Sequence, residues 1–399
     1  MAVREIPPGG IGEAPARPAP WNDPRVRAIV VQAVVVIALL LLVWYLVDNT
    51  ITNLRRQGIA GGWGFLDKTA GFGISFSLIS YEVTSSYGRA LIVGFLNTIL
   101  VAVIGIFLAT IVGFVVGLAR LSSNWLIARL ATVYVEVIRN IPLLLQLIFW
   151  YVAVLSALPG ARDALTLGQS VFLSNRGLTV PRPIFEPGSS LLLWALIVGL
   201  AAAVGVSHWA QKRFERTGQA FPSGWASLGL IVGLPVLAFL LAGRPISLEF
   251  PEASRFRLVG GLNLVPEFVA LLLGLTLYTG AFIAEIVRAG ILSVAKGQRE
   301  AAGALGLRPG QVTRFVIVPQ AMRVIVPPLT SQYLNLTKNS SLAVAIGYPE
   351  LVSIGGTVLN QSGQAIEVVT IWMIVYVSLS LLTSLFMNWY NRRIALVER

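Results

Sequence analysis

The sequence predicts an all-α membrane protein with about eight transmembrane helices. Three observations carry that expectation. Hydrophobic residues fill 56% of the 399 positions and charged residues only 12%, with a mean hydropathy of +0.77. A soluble chain carries roughly a quarter of its residues charged. The apolar segments run long enough to span a bilayer as helices, and helices satisfy their own backbone polar groups in lipid. Barrel strands would instead show shorter, alternating segments.

Taken in order, residues 1–28 are rich in Pro, Gly and Ala and read as a disordered cytoplasmic N-terminus. The run from Ile29 to Val47 is too long for a signal-peptide core, and no small-residue cleavage site follows it, so it is retained as a spanning helix. The outer loop to residue 89 holds Gly61, Gly62, Gly64, Gly71 and Gly73 and is expected to lie over the membrane surface rather than fold as a domain. Further spans are expected at about 90–119, 129–157, 190–208, 223–243, 264–290, 314–345 and 367–390. In the second, Gly105, Ala109, Gly113 and Gly117 form a smooth stripe that admits a close neighbour, either within the chain or in another subunit. The loop near Pro159 to Gly188 is Pro-rich and small. The seventh span contains Pro319, Pro327 and Pro328 and then the polar run Asn335 to Ser341, so it is expected to be broken or kinked.

The net charge of +12 falls mostly between apolar segments. It therefore reads as topology signal and lipid contact, not as a nucleic-acid footprint. Basic residues favour the side holding Arg120, Arg129, Lys212, Arg213, Arg216, Lys296 and Arg299, which places both termini in the cytoplasm. Cysteine is absent, so no disulfide framework or thiol chemistry is expected. The single His208 stands beside Trp209 at the end of an apolar segment, without partners for catalysis or a metal. No catalytic residue and no metal site is expected. The chain also has no Gly-Lys dipeptide and hence no phosphate-binding P-loop.

The segment between the sixth and seventh spans reads Glu300-Ala301-Ala302-Gly303-Ala304-Leu305-Gly306, then Leu307-Arg308-Pro309, and closes at Val316-Ile317-Val318-Pro319. It predicts a short helix from about Gly297 to Leu305, capped by Gly306, with Pro309 in the first turn of a second helix. Its apolar side chains are small, so a partner groove could receive it, with Arg299, Arg308 and Arg314 ringing it with charge. Such an elbow can transmit a rigid-body push.

This spacing resembles the signature loop of ABC importer permeases: Glu300, Ala301, Ala302, Gly306 and Pro319 fall in place, and Val316 and Val318 stand for the usual Ile and Leu. Arg139-Asn140-Ile141-Pro142-Leu143-Leu144-Leu145-Gln146-Leu147 is similar to a stretch of the polar amino-acid permeases, as are Tyr278 to Ile291 and Lys338-Asn339-Ser340-Ser341-Leu342. The extra first span and the insert near 170–262 resemble the enlarged permeases of general L-amino-acid uptake systems. The resemblance implies a type I ABC importer permease core plus an extra N-terminal helix and a two-helix insert. Its parts would be 29–89, the extra helix and periplasmic loop; 90–169 and 263–391, the core; 170–262, the insert; and 392–399, a cytoplasmic tail. The ATPase-coupling loop would span 297–319.

It further implies a subunit of the bacterial inner membrane that moves amino acids by alternating access. Expected partners are a second, homologous permease in a heterodimer, two ATPase subunits, a periplasmic amino-acid-binding protein and membrane lipid. No cofactor is expected in this chain, ATP and Mg being bound by the partner ATPase. The alternative, an ion-coupled secondary amino-acid transporter, would show inverted repeats with paired broken helices.

Ionisable residues inside a membrane mark a pathway or a buried pair. An amino acid offers a carboxylate and an ammonium group, so Arg139 or Lys338 could meet the first and Glu285 the second. Glu285 and Arg288 are also an i,i+3 pair, which favours a structural or gating role. Gln146, Tyr278, Asn339, Ser340 and Ser341 complete the candidate path, the polar run being the better lining because it follows helix-breaking prolines.

Overall fold

The computed structural model describes residues 24–56, 61–168, 170–219, 221–253 and 258–394. The expected disorder at residues 1–28 and most of the tail 392–399 lie outside them, except that the first helix already begins at Pro24. That helix, α1 (Pro24–Arg56), runs well past Val47 at its other end. Pro24 fits the first turn, where a missing N–H costs nothing. After it come α2 (Tyr87–Ala119), α3 (Trp125–Asn140) and α4 (Leu143–Ile148), the last continuing as a π-helical turn through Leu155. Next are α5 (Ser190–Thr217), α6 (Ser223–Leu241) and α7 (Pro266–Leu292). Then follow α8 (Lys296–Ala304), α9 (Pro309–Val312), α10 (Val318–Asn339), α11 (Leu351–Ser362) and α12 (Ala365–Ile394). Among the described residues, seven helices are long and apolar enough to cross a membrane, and the bent pair α3–α4 makes an eighth span.

The seam between α2 and α7 organises the core. The small-residue stripe is used inside the chain: a Cβ on Gly117 would lie 2.8 Å from Ala284 O and 2.9 Å from Val287 Cβ, and one on Gly113 would collide with Ile283. Gly280, from the α7 side, faces Val112 at 3.0 Å. Lipid tails are as apolar as side chains, so helices in a bilayer gain by packing closely, and these glycines supply the closeness. Gly105 meets Leu336 of α10 instead. At the other end of α2, Gly94 seats the start of α11, with Leu351 Cα 2.9 Å from where a Cβ would be.

The broken span is the third, and not the seventh. α3 and α4 meet at 107°. Ile141 precedes Pro142 and is forced into extended geometry (φ −102°, ψ 128°), which ends α3. Gln146 holds the corner, donating through Nε2 to Ile138 O and Ile141 O at 2.9 Å each. The seventh span stays helical from Pro309 to Ile346 despite its prolines. It widens into a π turn at Thr313–Ile317, where Val318 N–H reaches back to Thr313 O, and tightens into a 3₁₀ segment at Ser340–Ile346. The wide turn makes room for the Pro319 ring, which would otherwise meet the carbonyl four residues back.

Two loops carry more structure than expected. In the first outer loop a 3₁₀ turn, Trp63–Asp67, buries Phe65, and Ala70 follows it into a cluster with Tyr87, Leu351, Val358 and Val368. The loop is therefore anchored in a second core. Around the insert, β1 (Leu165–Leu167), β2 (Val171–Ser174), β3 (Gly177–Val180) and β8 (Leu262–Leu264) form one antiparallel sheet in the order β1-β2-β3-β8. Two further pairs are β4 (Arg182–Phe185) with β5 (Ile246–Glu249) and β6 (Glu252–Ala253) with β7 (Leu258–Val259). They staple the feet of the α5–α6 hairpin.

Replacing Gly117 by Ala is expected to lower the thermal midpoint of the purified chain, at a cost of about 1–3 kcal/mol, because backbone and Val287 must move. Gly229 on α6 has nothing within 4 Å of a new Cβ and takes Ala without loss. Equal midpoints for the two variants would contradict a seam built on glycine contacts. Gln146→Leu leaves two part-buried carbonyls without their side-chain donor and is expected to cost about 1 kcal/mol in the same assay; an unchanged midpoint would mean that other donors hold the corner.

Candidate functional site

The elbow between α7 and α10 forms as its residues dictate. α8 ends at Leu305 in a Schellman cap: Gly306 N–H donates to Gly303 O at 2.9 Å and Leu307 N–H to Ala302 O at 3.2 Å. Gly306 adopts φ +80°, which a side chain resists. Arg308 N–H donates to Gln311 Oε1 at 2.9 Å, and Pro309 opens α9. The elbow is fastened from within by Ala302, Val312 and Ile317, all buried in the main core. Gln320 Nε2 donates to Gln298 Oε1 at 3.4 Å, and Arg299 donates to Ile291 O at 3.4 Å.

Glu300, Ala301, Arg308, Pro309 and Pro319 are exposed, whereas Ala302 points inward. Leu305 is 82% exposed at the tip. The result is a short, rigid projection with an apolar knob, clamped between two long helices.

The candidate charges do not form a single site. Glu285 collects arginines from three helices: Arg120 after α2, Arg139 at the end of α3 and Arg288 one turn on in α7. Arg288 Nη2 donates to Oε1 at 2.7 Å, Arg120 Nη1 donates to Oε2, and Arg139 Nη1 lies 4.0 Å from Oε2. The Arg139 guanidinium sits 5.0 Å over the ring of Phe282, which in turn packs on Tyr278 with centroids 5.0 Å apart. Glu285 is thus the knot that ties α2, α3 and α7 together. Gln146 spends its amide N–H groups on the α3–α4 corner.

Lys338 lies elsewhere, on α10. It lines a groove of about 410 Å³ with Leu334, Tyr376, Val377, Ser380, Leu381 and Ser384. Ser340 and Ser341 turn their hydroxyls back to Thr337 O and Lys338 O at 2.7 Å each, and Ser340 is buried. Asn339 is half-buried beside them. Sequence reasoning missed Glu350, which is fully buried and caps α11 by accepting from Val352 N–H at 2.8 Å and Ser353 N–H at 2.7 Å. Tyr376 O–H donates to it at 3.2 Å, joining Glu350 to the wall of the Lys338 groove. The available signal was a lone carboxylate before an apolar helical run, although Glu is not among the preferred N-capping residues. It also missed Arg120, placed in a loop when its side chain folds back under α7.

His208 Nδ1–H donates to Val204 O, one turn back, at 3.0 Å. Among the described residues no cluster of His, Asp or Glu could hold a metal ion.

Comparison with known proteins places this architecture. The family described as binding-protein-dependent transport system inner membrane component matches residues 195–396. The chain is 57% identical over 377 residues to the general L-amino acid transport system permease protein AapQ of Rhizobium johnstonii, covering 94% of each chain. It is 51% identical to the putative amino-acid ABC transporter permease protein YhdX of Escherichia coli, covering 95% of this chain and 97% of that one. It is 43% identical to the glutamate/glutamine/aspartate/asparagine transport system permease protein BztB of Rhodobacter capsulatus, covering 94% and 96%. The chain therefore belongs to the binding-protein-dependent transport system inner membrane components, as a multi-pass permease subunit of an ABC importer whose ATPase is a separate subunit.

Proposed function

We propose that the chain is one half of a heterodimeric permease that carries amino acids inward from a periplasmic binding protein. Two ATPase subunits, which bind ATP and Mg, drive it by gripping the elbow at 297–319. The observation that carries this reading is the elbow itself: the Leu305 knob projects while Ala302, Val312 and Ile317 lock it to α7 and α10. A push there reaches both helices without being absorbed. Both termini face the cytoplasm with the elbow, as the distribution of Lys and Arg favours.

Amino acids as cargo are supported by the names of three relatives, which include general, putative and acidic or amide amino-acid systems. On the chain, the groove with Lys338, Ser380 and Ser384 offers an ammonium group and hydroxyls to a carboxylate. An ion-coupled mechanism finds no favouring observation, since the one sharply broken span, α3–α4, has no counterpart elsewhere in the described residues.

Leu305→Asp tests the docking assignment without disturbing the fold, because the side chain touches little of its own chain. The variant should keep its thermal midpoint, lose its ATPase subunits on purification and lose uptake in cells. A variant that co-purifies with its ATPase and transports normally would overturn the assignment. Gly306→Leu should fail in the same assays and also lose stability, since the αL cap resists a side chain.

A further inference from the structure

The arginine knot holds more positive charge than the chain neutralises. Arg120, Arg139 and Arg288 share one carboxylate, Glu285, and among the described residues no other carboxylate pairs with any of them. A guanidinium carries five N–H donors. Arg288 directs two at Oε1, through Nε at 3.3 Å and Nη2 at 2.7 Å. Arg120 gives one Nη1 bond, yet its side chain is nine-tenths buried and its Nε is buried with no partner.

Arg139 is the open one. At 4.0 Å from Glu285 it is too far for a hydrogen bond, and among the described residues its guanidinium donates to nothing. The ring of Phe282 holds it in place at 5.0 Å while its side chain stays 39% exposed. Arg120 and Arg139 both approach the same oxygen, Glu285 Oε2, so two guanidinium groups face one carboxylate oxygen. Three guanidinium groups around one carboxylate leave a net positive charge, and an oxyanion accepting from the open Arg139 fork would offset it.

We propose that Arg120, Arg139 and Arg288 form an oxyanion site at the elbow end of α7, which takes one carboxylate or phosphate group beside Glu285. The proposal rests on the reading above only for the side of the membrane that this end of α7 faces. Two sources carry the chemistry: the α-carboxylate of a free amino acid and the phosphate of an anionic lipid headgroup. In either case the anion would join α2 and α3 to α7 about two turns before α7 ends.

The test uses the purified complex of permeases and ATPases in nanodiscs of zwitterionic lipid, without binding protein. L-glutamate binding is read by equilibrium dialysis and phosphatidylglycerol retention by native mass spectrometry. One probe should bind saturably. Arg139→Gln should weaken it about tenfold, the loss expected for a charge-assisted hydrogen-bond pair, and Arg139→Lys should weaken it less. Glu285→Gln, which removes the competing carboxylate, should tighten it. Should that variant fail to assemble, the two Arg139 variants still decide.

Binding of neither probe, or binding indifferent to Arg139, overturns the proposal. Glutamate bound at the Lys338 groove would belong to the second case. ATPase co-purification is read on the same samples, so a complex that keeps its ATPase but binds neither probe loses the anion site alone.

Discussion

The close approach of α2 and α7 is the constraint on which the rest depends. In lipid, burying an apolar side chain against another helix gains little over leaving it in acyl chains, so contact must be gained by fit. Gly113, Gly117 and Gly280 let the two backbones meet, and that fixes α7 from Gly280 to Val287. At one end Phe268 of α7 stacks on Phe76 with centroids 5.7 Å apart and packs on Tyr348 at 5.8 Å. At the other, Glu285 draws Arg120 and Arg139 onto it. The elbow follows directly: α8 begins just after α7 ends, and α9 merges through a π turn into α10. A load applied at Leu305 therefore enters two anchored helices at once.

Much of this was legible, and for physical reasons. Spans are visible because hydropathy is a property of composition over many residues, and the extra length of α1 changes its ends without changing its existence. The elbow was legible almost to the residue: Gly306 and Pro309 encode a helix end and a helix start through their backbone chemistry alone, and α8 falls one residue from where they place it. The glycine stripe was legible as a contact surface, but whether it faced α7 or another subunit required knowing where α7 lies.

The misreadings have equally local causes. Prolines were counted in the seventh span, yet Pro319 sits beside a π turn that accommodates it, and Pro327 and Pro328 remain inside a continuous helix. Pro142 alone broke a span, because Ile141 before it became extended and Gln146 was at hand to satisfy the freed carbonyls. Gln146, a candidate for the substrate path, spends its amide N–H groups on this corner. The short strands were invisible because two to four residues carry no period, and β3 pairs with β8 across the whole α5–α6 insert. Arg120 escapes the sequence because its partner Glu285 is far away in the chain, and Glu350 because Glu is not among the usual N-capping residues.

Energy input is assigned to the elbow and cargo handling to the Lys338 groove within the membrane, with α10 joining the two. The most direct test is reconstitution of the chain in liposomes with its partner permease, ATPases and binding protein, followed by measurement of amino-acid uptake. The account predicts uptake that requires both ATP and the binding protein, with ATP hydrolysis rising when loaded binding protein is added. Uptake driven by an ion gradient in the absence of ATP would contradict it.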